Sequence, residues 1–596
     1  MQRTRTEGPE YFHKVVDCQW ACPAHTPVPE YIRLIAEGRY ADAYMINWRS
    51  NVFPGVLGRT CDRPCEPACR RGRVEEEPVA ICRLKRVAAD NKGDVLARMP
   101  EPALARNGRR VALVGAGPAS LTVARDLATL GYELVLYDAE ARPGGFIRSQ
   151  IPRFRLPEEV IDEEVGYVTR LGGVELRLGQ RVDSLKALLG EGYDAVFVGS
   201  GAPRGRDLDL PGRQEAAANI HIGIDWLSSV SFGHIEKIGR RVIVLGGGNT
   251  AMDCCRTSRR LGGQDVKVIV RSGFDEMKAS PWEKEDAIHE DIPILNYRVP
   301  KEFTHENGRL TGVVFEVVEA RYDDMGRRKL VPSGAPDEHH ECDDVLIAVG
   351  QENAFPWIER DIGLEFDEWG LPKVDPATMR STIPNVFFGG DAAFGPKNII
   401  WAVAHGHEAA VSIHRLCEGQ DVAERPPPHA SLASQKMGIH EWSYDNDVSN
   451  DRRYRVPMRE KAEALTNVRL EVELGFDRDL ALREAERCLN CDVQTVFADK
   501  LCIECDACVD ICPMDCITFT EDGEEDELRG RLKAPALNPE QDLYASGRLG
   551  TGRIMVKDED VCLHCGLCAE RCPTGAWDMQ KFYLETTQAE GACRSR

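Results

Sequence analysis

Two stretches near the C-terminal end constrain this chain more than any other feature. Cys502, Cys505, Cys508 and Cys512 form one run, and Cys562, Cys565, Cys568 and Cys572 form another, each reading C-x2-C-x2-C-x3-C-P. Thiolates in this spacing give three ligands to one iron–sulfur cube, while the fourth cysteine serves the cube of the other run. The expected sets are Cys502, Cys505, Cys508 and Cys572 for one [4Fe-4S] centre, and Cys562, Cys565, Cys568 and Cys512 for the second. Pro513 and Pro573 end the two loops and turn the chain away. Zinc is the alternative for clustered cysteines, but its spacing patterns do not repeat a four-cysteine run closed by proline. The stretch between the runs, "TEDGEEDELRG", reads as a solvated acidic excursion.

The rest of the chain fits an electron carrier. At 596 residues it is too long for one core, so several domains are expected. Its first residues, "MQRTRTEGPEYFHKV", lack the apolar core of a secretory signal, and no long apolar run marks a membrane span. A cytoplasmic location with no direct membrane span is expected. There, 22 cysteines read as metal ligands and core thiols rather than disulfides. A formal charge of -22 argues against a nucleic-acid partner. Residues 498 to 578 resemble the two-cluster bacterial ferredoxins, which implies an electron wire.

Two units in the middle read as nucleotide-binding. Residues 110 to 138 give a short apolar strand, a Gly-x-Gly turn, an apolar-periodic helix and a second strand ending on Asp138. Gly115 permits the sharp turn, and Gly117 lets the backbone approach a pyrophosphate, which then faces the helix N-terminus. Asp138 is placed to accept hydrogen bonds from the adenosine ribose. Ser120 stands where a third glycine is usual. In the second unit, residues 240 to 272, Gly246, Gly248 and Ala251 take the corresponding positions, and Arg271 replaces the carboxylate. Arginine there suits the 2′-phosphate of NADPH, while Ser272 and the loop geometry leave NADH open. Arg256, Arg259 and Arg260 offer phosphate contacts or ordinary surface charge. In the closing segment, residues 383 to 410, a strand reaches Gly389, Gly390 and Asp391 before a helix starting near Asn398. Asp391 can bind a flavin ribityl hydroxyl there. "VFVGSGAP" and "VLIAVGQE" read as strand exits where two domains cross over, so a flavin unit is expected to be interrupted by a nicotinamide unit.

Residues from about 15 to 420 resemble the small subunit of glutamate synthase and its relatives. "VGAGPAS", "ARPGGFIRSQIPRFRLP", "GGGNTAMDC" and "GGDAAFGPKN" carry the likeness. The resemblance implies that NAD(P)H reduces FAD and that iron–sulfur centres pass single electrons onward. It implies FAD contacts at Gly115, Gly117, Asp138, Gly144, Gly145 and Asp391, and nicotinamide-nucleotide contacts at Gly246, Gly248, Asn249 and Arg271. No side chain stands out as a catalytic acid or base.

Six cysteines, Cys18, Cys22, Cys61, Cys65, Cys69 and Cys82, precede the first nucleotide unit. "GRTCDRPCEPAC" resembles the family's cluster-binding segment, which implies a [4Fe-4S] centre on Cys22, Cys61, Cys65 and Cys69, with zinc as the plainer alternative. The relatives commonly hold a second N-terminal cluster with a CxxC pair upstream of Cys18, and here that pair is missing. Cys18 and Cys82 are left over, as are Cys488 and Cys491 of "EAERCLNCD", and the four are expected to share a further cluster. Separate buried thiols, or ligands shared with another subunit, are the alternatives. Cys254, Cys255, Cys342, Cys417, Cys516 and Cys593 read as ordinary thiols.

The expectation is an α/β multidomain chain. A helical iron–sulfur domain (1–105) precedes two interleaved Rossmann-like domains, with FAD parts at 106–235 and 351–420 and an NAD(P) domain at 236–350. A linker with the CxxC (421–497), an α+β two-cluster ferredoxin domain (498–580) and a tail (581–596) follow. The expected function is an electron-transfer flavoprotein subunit passing electrons between NAD(P)(H), FAD and [4Fe-4S] clusters, within a hetero-oligomer. Its partner would be ferredoxin or a larger redox enzyme, such as a 2-oxoacid oxidoreductase or a hydrogenase. A glutamate synthase small subunit and a noncatalytic scaffold are the rival readings.

Overall fold

A computed structural model describes residues 1–6, 9–323, 325–425, 429–438, 440–443, 447–521, 524–536, 539 and 541–585. Cys593 lies outside them. The chain forms two compact units: Met1–Met99 with Glu424–Val456 and Gly475–Arg596, and Pro100–Ala423 with Pro457–Leu474.

The second of these, the nucleotide unit, contains two parallel five-stranded sheets. The first runs in the order Val386–Phe388, Ala195–Val198, Arg110–Val114, Glu133–Asp138, Val174–Leu178. These strands read as continuous apolar runs because both faces of a parallel sheet are covered. Val111, Leu113, Val196 and Phe387 are fully buried. The second sheet orders Ile220–Ile222, Asp344–Ile347, Arg241–Leu245, Asp265–Ile269 and Ile294–Leu295. The flavin-type sheet is thus opened after Ala195–Val198 and closed by Val386–Phe388, with the other sheet inserted between. One boundary differs from expectation. Ile220–Ile222 pairs in parallel with Asp344–Ile347, so the inserted domain takes its first strand before residue 236. An antiparallel sheet built on Arg298–Glu306 and Arg309–Tyr322 is a further part of the insert.

The other unit is built from the two ends of the chain. Its helices include Val28–Ala36, Tyr40–Asn51 and Ile81–Asn91, whose apolar faces share one core with Phe476, Ala481, Ala485 and Phe582. A further short helix, Pro54–Thr60, starts on a proline, which is pre-organised for the first helical position. Two three-stranded sheets follow. One joins Ile517–Thr520, Ile554–Lys557 and Tyr544–Arg548; the other joins His429–Ser434, Trp577–Glu585 and Val493–Phe497. The segment expected to be a linker therefore supplies two strands and the helix Arg478–Ala485 to this unit, and Pro457–Leu474 to the other. The acidic excursion is also more ordered than expected: Glu525–Arg531 is a helix whose Leu528 is buried with Leu532, Leu543 and Val556. Among the described residues no helix is long and apolar enough to cross a membrane.

Candidate functional site

In the nucleotide unit, both glycine turns have the same construction. The Gly115 N–H bonds the Tyr137 carbonyl at 2.8 Å, and the Gly246 N–H bonds the Ile269 carbonyl at 3.3 Å. Gly115 (φ +94°) and Gly246 (φ +141°) leave no room for a side chain. A Cβ would lie 2.6 Å from the Gly199 carbonyl oxygen in one case and 2.1 Å from that of Ala348 in the other. Gly248 instead faces open space and a Cβ on Gly117 would meet only the Gly199 carbonyl oxygen, at 3.9 Å, which leaves the room a backbone cradle for a pyrophosphate requires; each precedes a helix, Pro118–Ala128 or Asn249–Arg260.

Asp138 accepts from the Ala116 N–H at 2.5 Å and the Glu140 N–H at 2.8 Å. Burial raises its carboxyl above the usual range and these two bonds oppose the rise; a carboxylate offers further acceptor sites for ribose. Gly144 donates its N–H to the Ala116 carbonyl at 2.8 Å, which ties the Gly144–Gly145 loop to the first turn. Asp391 begins the short helix Asp391–Phe394 and accepts from the Lys397 N–H at 2.9 Å. Asn353 donates to the carbonyls of Asp391 and Ala392, while among the described residues its own Oδ1 is buried without a hydrogen-bond partner, as is the hydroxyl of Ser200. Unmatched buried polar atoms beside a glycine cradle fit a polar ligand such as FAD. His405 accepts the Gly390 N–H on Nδ1 at 3.2 Å, and burial pushes it down to about 4, with Lys397 adding to the effect.

In the inserted sheet, Asn249 accepts the Ser280 N–H at 2.8 Å and so fixes the loop beyond the helix start. The equivalence of Tyr137 and Ile269 places Arg271 one residue beyond the counterpart of Asp138. It is exposed and makes no hydrogen bond or ion pair among the described residues. The three helix arginines are committed elsewhere. Arg256 and Arg260 are buried against Glu290, and Arg259 donates to the carbonyls of Gly263 and Gln264. Helix Pro281–His289 and the turn after it put the carboxylates of Glu283, Asp286 and Glu290 beside Arg256, which overrides a phosphate role there.

In the other unit, the thiols gather into cavities. Cys502, Cys505, Cys508 and Cys572 line one with Trp577 and Phe497. Cys512, Cys562, Cys565 and Cys568 line another, which a fifth thiol, Cys516, also faces. The third cysteine of each run sits on a short helix, Ala507–Ile511 or Leu567–Arg571. The Glu504 N–H points at the Cys502 sulfur and the His564 N–H at the Cys562 sulfur, both at 3.3 Å. Such donors favour thiolate over thiol.

The N-terminal set differs from expectation by an exchange of Cys69 and Cys82. Cys82 is within hydrogen-bonding reach of Cys61 and Cys65, which lowers it well below an ordinary thiol. Buried Lys85 opposes its own desolvation through Cys82, Cys61, Cys22 and Cys65, and is held above its usual range. Cys69 instead lines a cavity with Cys18, Cys488 and Cys491. The cause is the turn after Cys65: Glu66 accepts the Cys82 N–H at 3.1 Å and anchors the start of helix Ile81–Asn91 beside Cys61 and Cys65.

Sequence reasoning missed the buried charges around these thiols. Lys557 donates to Glu559 at 2.8 Å and to Thr495 at 2.6 Å. Burial opposes the charge of Glu559, but Lys557 and His564 hold it at about 2. Arg70 donates to Asp17 at 2.8 Å and to the carbonyls of Glu559 and Cys562 at 2.6 and 2.5 Å. The charged residues flanking Cys562 and Cys69 were the only signal.

Comparison with known proteins places these arrangements. The pyridine nucleotide-disulphide oxidoreductase pattern matches residues 109–406. The dihydropyrimidine dehydrogenase domain II 4Fe-4S pattern matches 13–95, and the 4Fe-4S dicluster pattern matches 501–576. The chain is 33% identical over 501 residues to the NADP(+)-dependent formate dehydrogenase subunit beta of Moorella thermoacetica, covering 80% of this chain and 70% of that one. It is 31% identical to the NADPH-Fe(3+) oxidoreductase subunit beta of Geobacter sulfurreducens, with 82% and 77% covered. The glutamate synthase [NADPH] small chain of Azospirillum brasilense is 31% identical, with 69% and 87% covered.

Proposed function

This chain belongs to the pyridine nucleotide-disulphide oxidoreductase family, and from that premise we propose that it is the NADP(H)-linked electron-transfer flavoprotein subunit of a larger redox enzyme. The observation that carries the reading is the coexistence of two glycine-turn cradles with pockets lined by four cysteines each in one chain. Bound FAD would supply the exchange between a nicotinamide hydride and single electrons, and bound [4Fe-4S] clusters would carry those electrons singly.

The chain's residues position these groups. Gly115, Gly117, Gly144 and Gly145 would seat the FAD pyrophosphate, Asp138 its adenosine ribose, and Asp391 its ribityl chain. Neutral His405 would fix the Gly390 turn without adding positive charge. Gly246, Gly248 and Asn249 would seat the nicotinamide nucleotide, and the uncommitted guanidinium of Arg271 supports NADP(H) over NAD(H) through its 2′-phosphate. Three clusters would be held by Cys502, Cys505, Cys508 and Cys572; by Cys512, Cys562, Cys565 and Cys568; and by Cys22, Cys61, Cys65 and Cys82.

The dicluster region favours a partner that gives or takes single electrons. The relatives named as formate dehydrogenase and Fe(3+) oxidoreductase subunits support that class of partner, in a hetero-oligomer. Anaerobic purification of the native complex, subunit identification and NADPH-driven viologen reduction test this. A partner with its own redox centre and a preference for NADPH is expected. A chain that binds neither flavin nor iron, or reduces no dye, would overturn it.

A further inference from the structure

We propose that Cys18, Cys69, Cys488 and Cys491 hold a fourth [4Fe-4S] cluster, shared by the two ends of the chain, whose electronic neighbour is the cluster of Cys512, Cys562, Cys565 and Cys568. The inference rests on the cluster-bearing reading above and adds a ligand set that spans 473 residues of sequence, from Cys18 to Cys491.

Three observations carry it. The first is a comparison within one unit: the two ferredoxin-type runs each gather four cysteines around one pocket, and a third pocket gathers four cysteines of its own, Cys18, Cys69, Cys488 and Cys491. Val28, Pro29, Ile32, Val79, Ile81 and Leu489 make up the apolar part of its lining, and Asp17, Arg70 and Arg71 the charged part, with Arg70 paired to Asp17.

The second is the backbone. "CLNC" at Cys488 has the same form as "CIEC" at Cys502 and "CLHC" at Cys562. In each, the residue two beyond the first cysteine is left-handed without being glycine: Asn490 at φ +50°, Glu504 at +56° and His564 at +55°. In each its N–H is turned onto the preceding sulfur. A left-handed residue that aims its N–H at the preceding sulfur, repeated in three Cys-x2-Cys pairs, marks a built ligand loop.

The third is charge and connection. A cube with four thiolates is an anion, and the buried guanidinium of Arg70 and that of Arg71 line this cavity. The Arg33 guanidinium, paired with Asp492 at 2.7 Å, anchors the segment just beyond Cys491 to helix Val28–Ala36. His564 then joins the two sites: its Nδ1 lies 2.9 Å from the Cys491 carbonyl oxygen, and its own N–H reaches Cys562 Sγ at 3.3 Å. Clusters held at these two sites would exchange single electrons, one oxidised as the other is reduced, and His564 would tie their ligand loops together. No bond is made or broken and no proton moves.

The test is iron, sulfide and flavin analysis of the full chain, reconstituted anaerobically, with C488S, C69S, C82S and paired variants. C488S should lose about four iron and about four sulfide, keep its flavin and its NADPH–ferricyanide activity, and lose spin-coupled EPR features of the dithionite-reduced protein. C69S/C488S should lose no more than C488S, whereas C82S/C488S should lose about eight iron. The reverse pattern would overturn the ligand set, as would zinc bound in place of iron or unchanged spin coupling in C488S. If C488S does not fold, the wild type decides: about sixteen iron per flavin supports the site and about twelve overturns it. A wild type with no clusters would remove the functional reading itself.

Discussion

The two units solve the same problem, holding an anionic redox group, by opposite routes. In the nucleotide unit each cradle is a local event: one strand, one glycine turn and one helix within about thirty residues, made twice. In the thiol unit the N-terminal thiols are grouped by helix packing and buried ion pairs, and one group, Cys18 and Cys69 with Cys488 and Cys491, joins segments hundreds of residues apart. The ferredoxin-type runs fall between, since three thiols of each pocket are local and the fourth comes from the other run. Local cradles should tolerate distant changes and fail at single backbone positions. Long-range sites should fail wherever the packing that joins them fails.

The comparison can be broken most forcefully at Cys61. C61S should cost the N-terminal cluster and, because bound metal contributes folding free energy, lower the melting temperature of the thiol unit by roughly 10 °C or more. C505S removes a ligand that is exposed rather than buried, and should cost one cluster with a much smaller shift. Differential scanning calorimetry with iron analysis separates the two; equal shifts would deny the distinction. Next in size is Arg33→Ala, which leaves Asp492 buried without its guanidinium and should destabilise the thiol unit by about 3–5 kcal/mol. Denaturant unfolding of the flavin-bound protein should show the flavin transition unmoved.

In the nucleotide unit, Arg271→Ala should raise the KM for NADPH about tenfold, in line with the loss of one charge-assisted contact of ~1.4 kcal/mol, with little change for NADH. A parallel rise for both would remove the 2′-phosphate role. The smallest expected effect is a pH dependence at His405. Its folded value lies near 4, below the ordinary histidine range, so between about pH 6.5 and pH 4 the unfolded chain takes up a proton that the folded unit refuses. Stability from this group is complete above that window and is lost as pH falls through it. His405→Asn, which keeps an acceptor for the Gly390 N–H, should flatten the acid limb of a melting-temperature profile.

What could be read from the sequence follows the same division. The strand–turn–helix units, the interruption of one sheet by the other and the ferredoxin-type runs were legible because their signals are contiguous. The swap of Cys69 and Cys82 was not, since sequence spacing made Cys69 the natural third member of "CDRPCEPAC". Only the hydrogen bond from Cys82 to Glu66 and the packing of helix Ile81–Asn91 reveal which thiol turns toward Cys61. Arg256 and Arg260 misled for the same reason. Their charge was visible, but the carboxylates of Glu283, Asp286 and Glu290 that neutralise it lie on another helix and the turn that follows it. The expected linker carried its order in alternation too short to stand out, and its strands form only against Trp577–Glu585.

The central claim is that a nicotinamide site, a flavin and the thiol-held clusters work as one route. Anaerobic rapid mixing of fully loaded protein with NADPH, followed by absorbance and freeze-quenched EPR, tests it most directly. The account expects flavin bleaching to be followed, within a single turnover, by cluster EPR signals growing as the flavin reoxidises. Flavin that stays reduced beside oxidised clusters, with measured potentials that favour transfer, would contradict it.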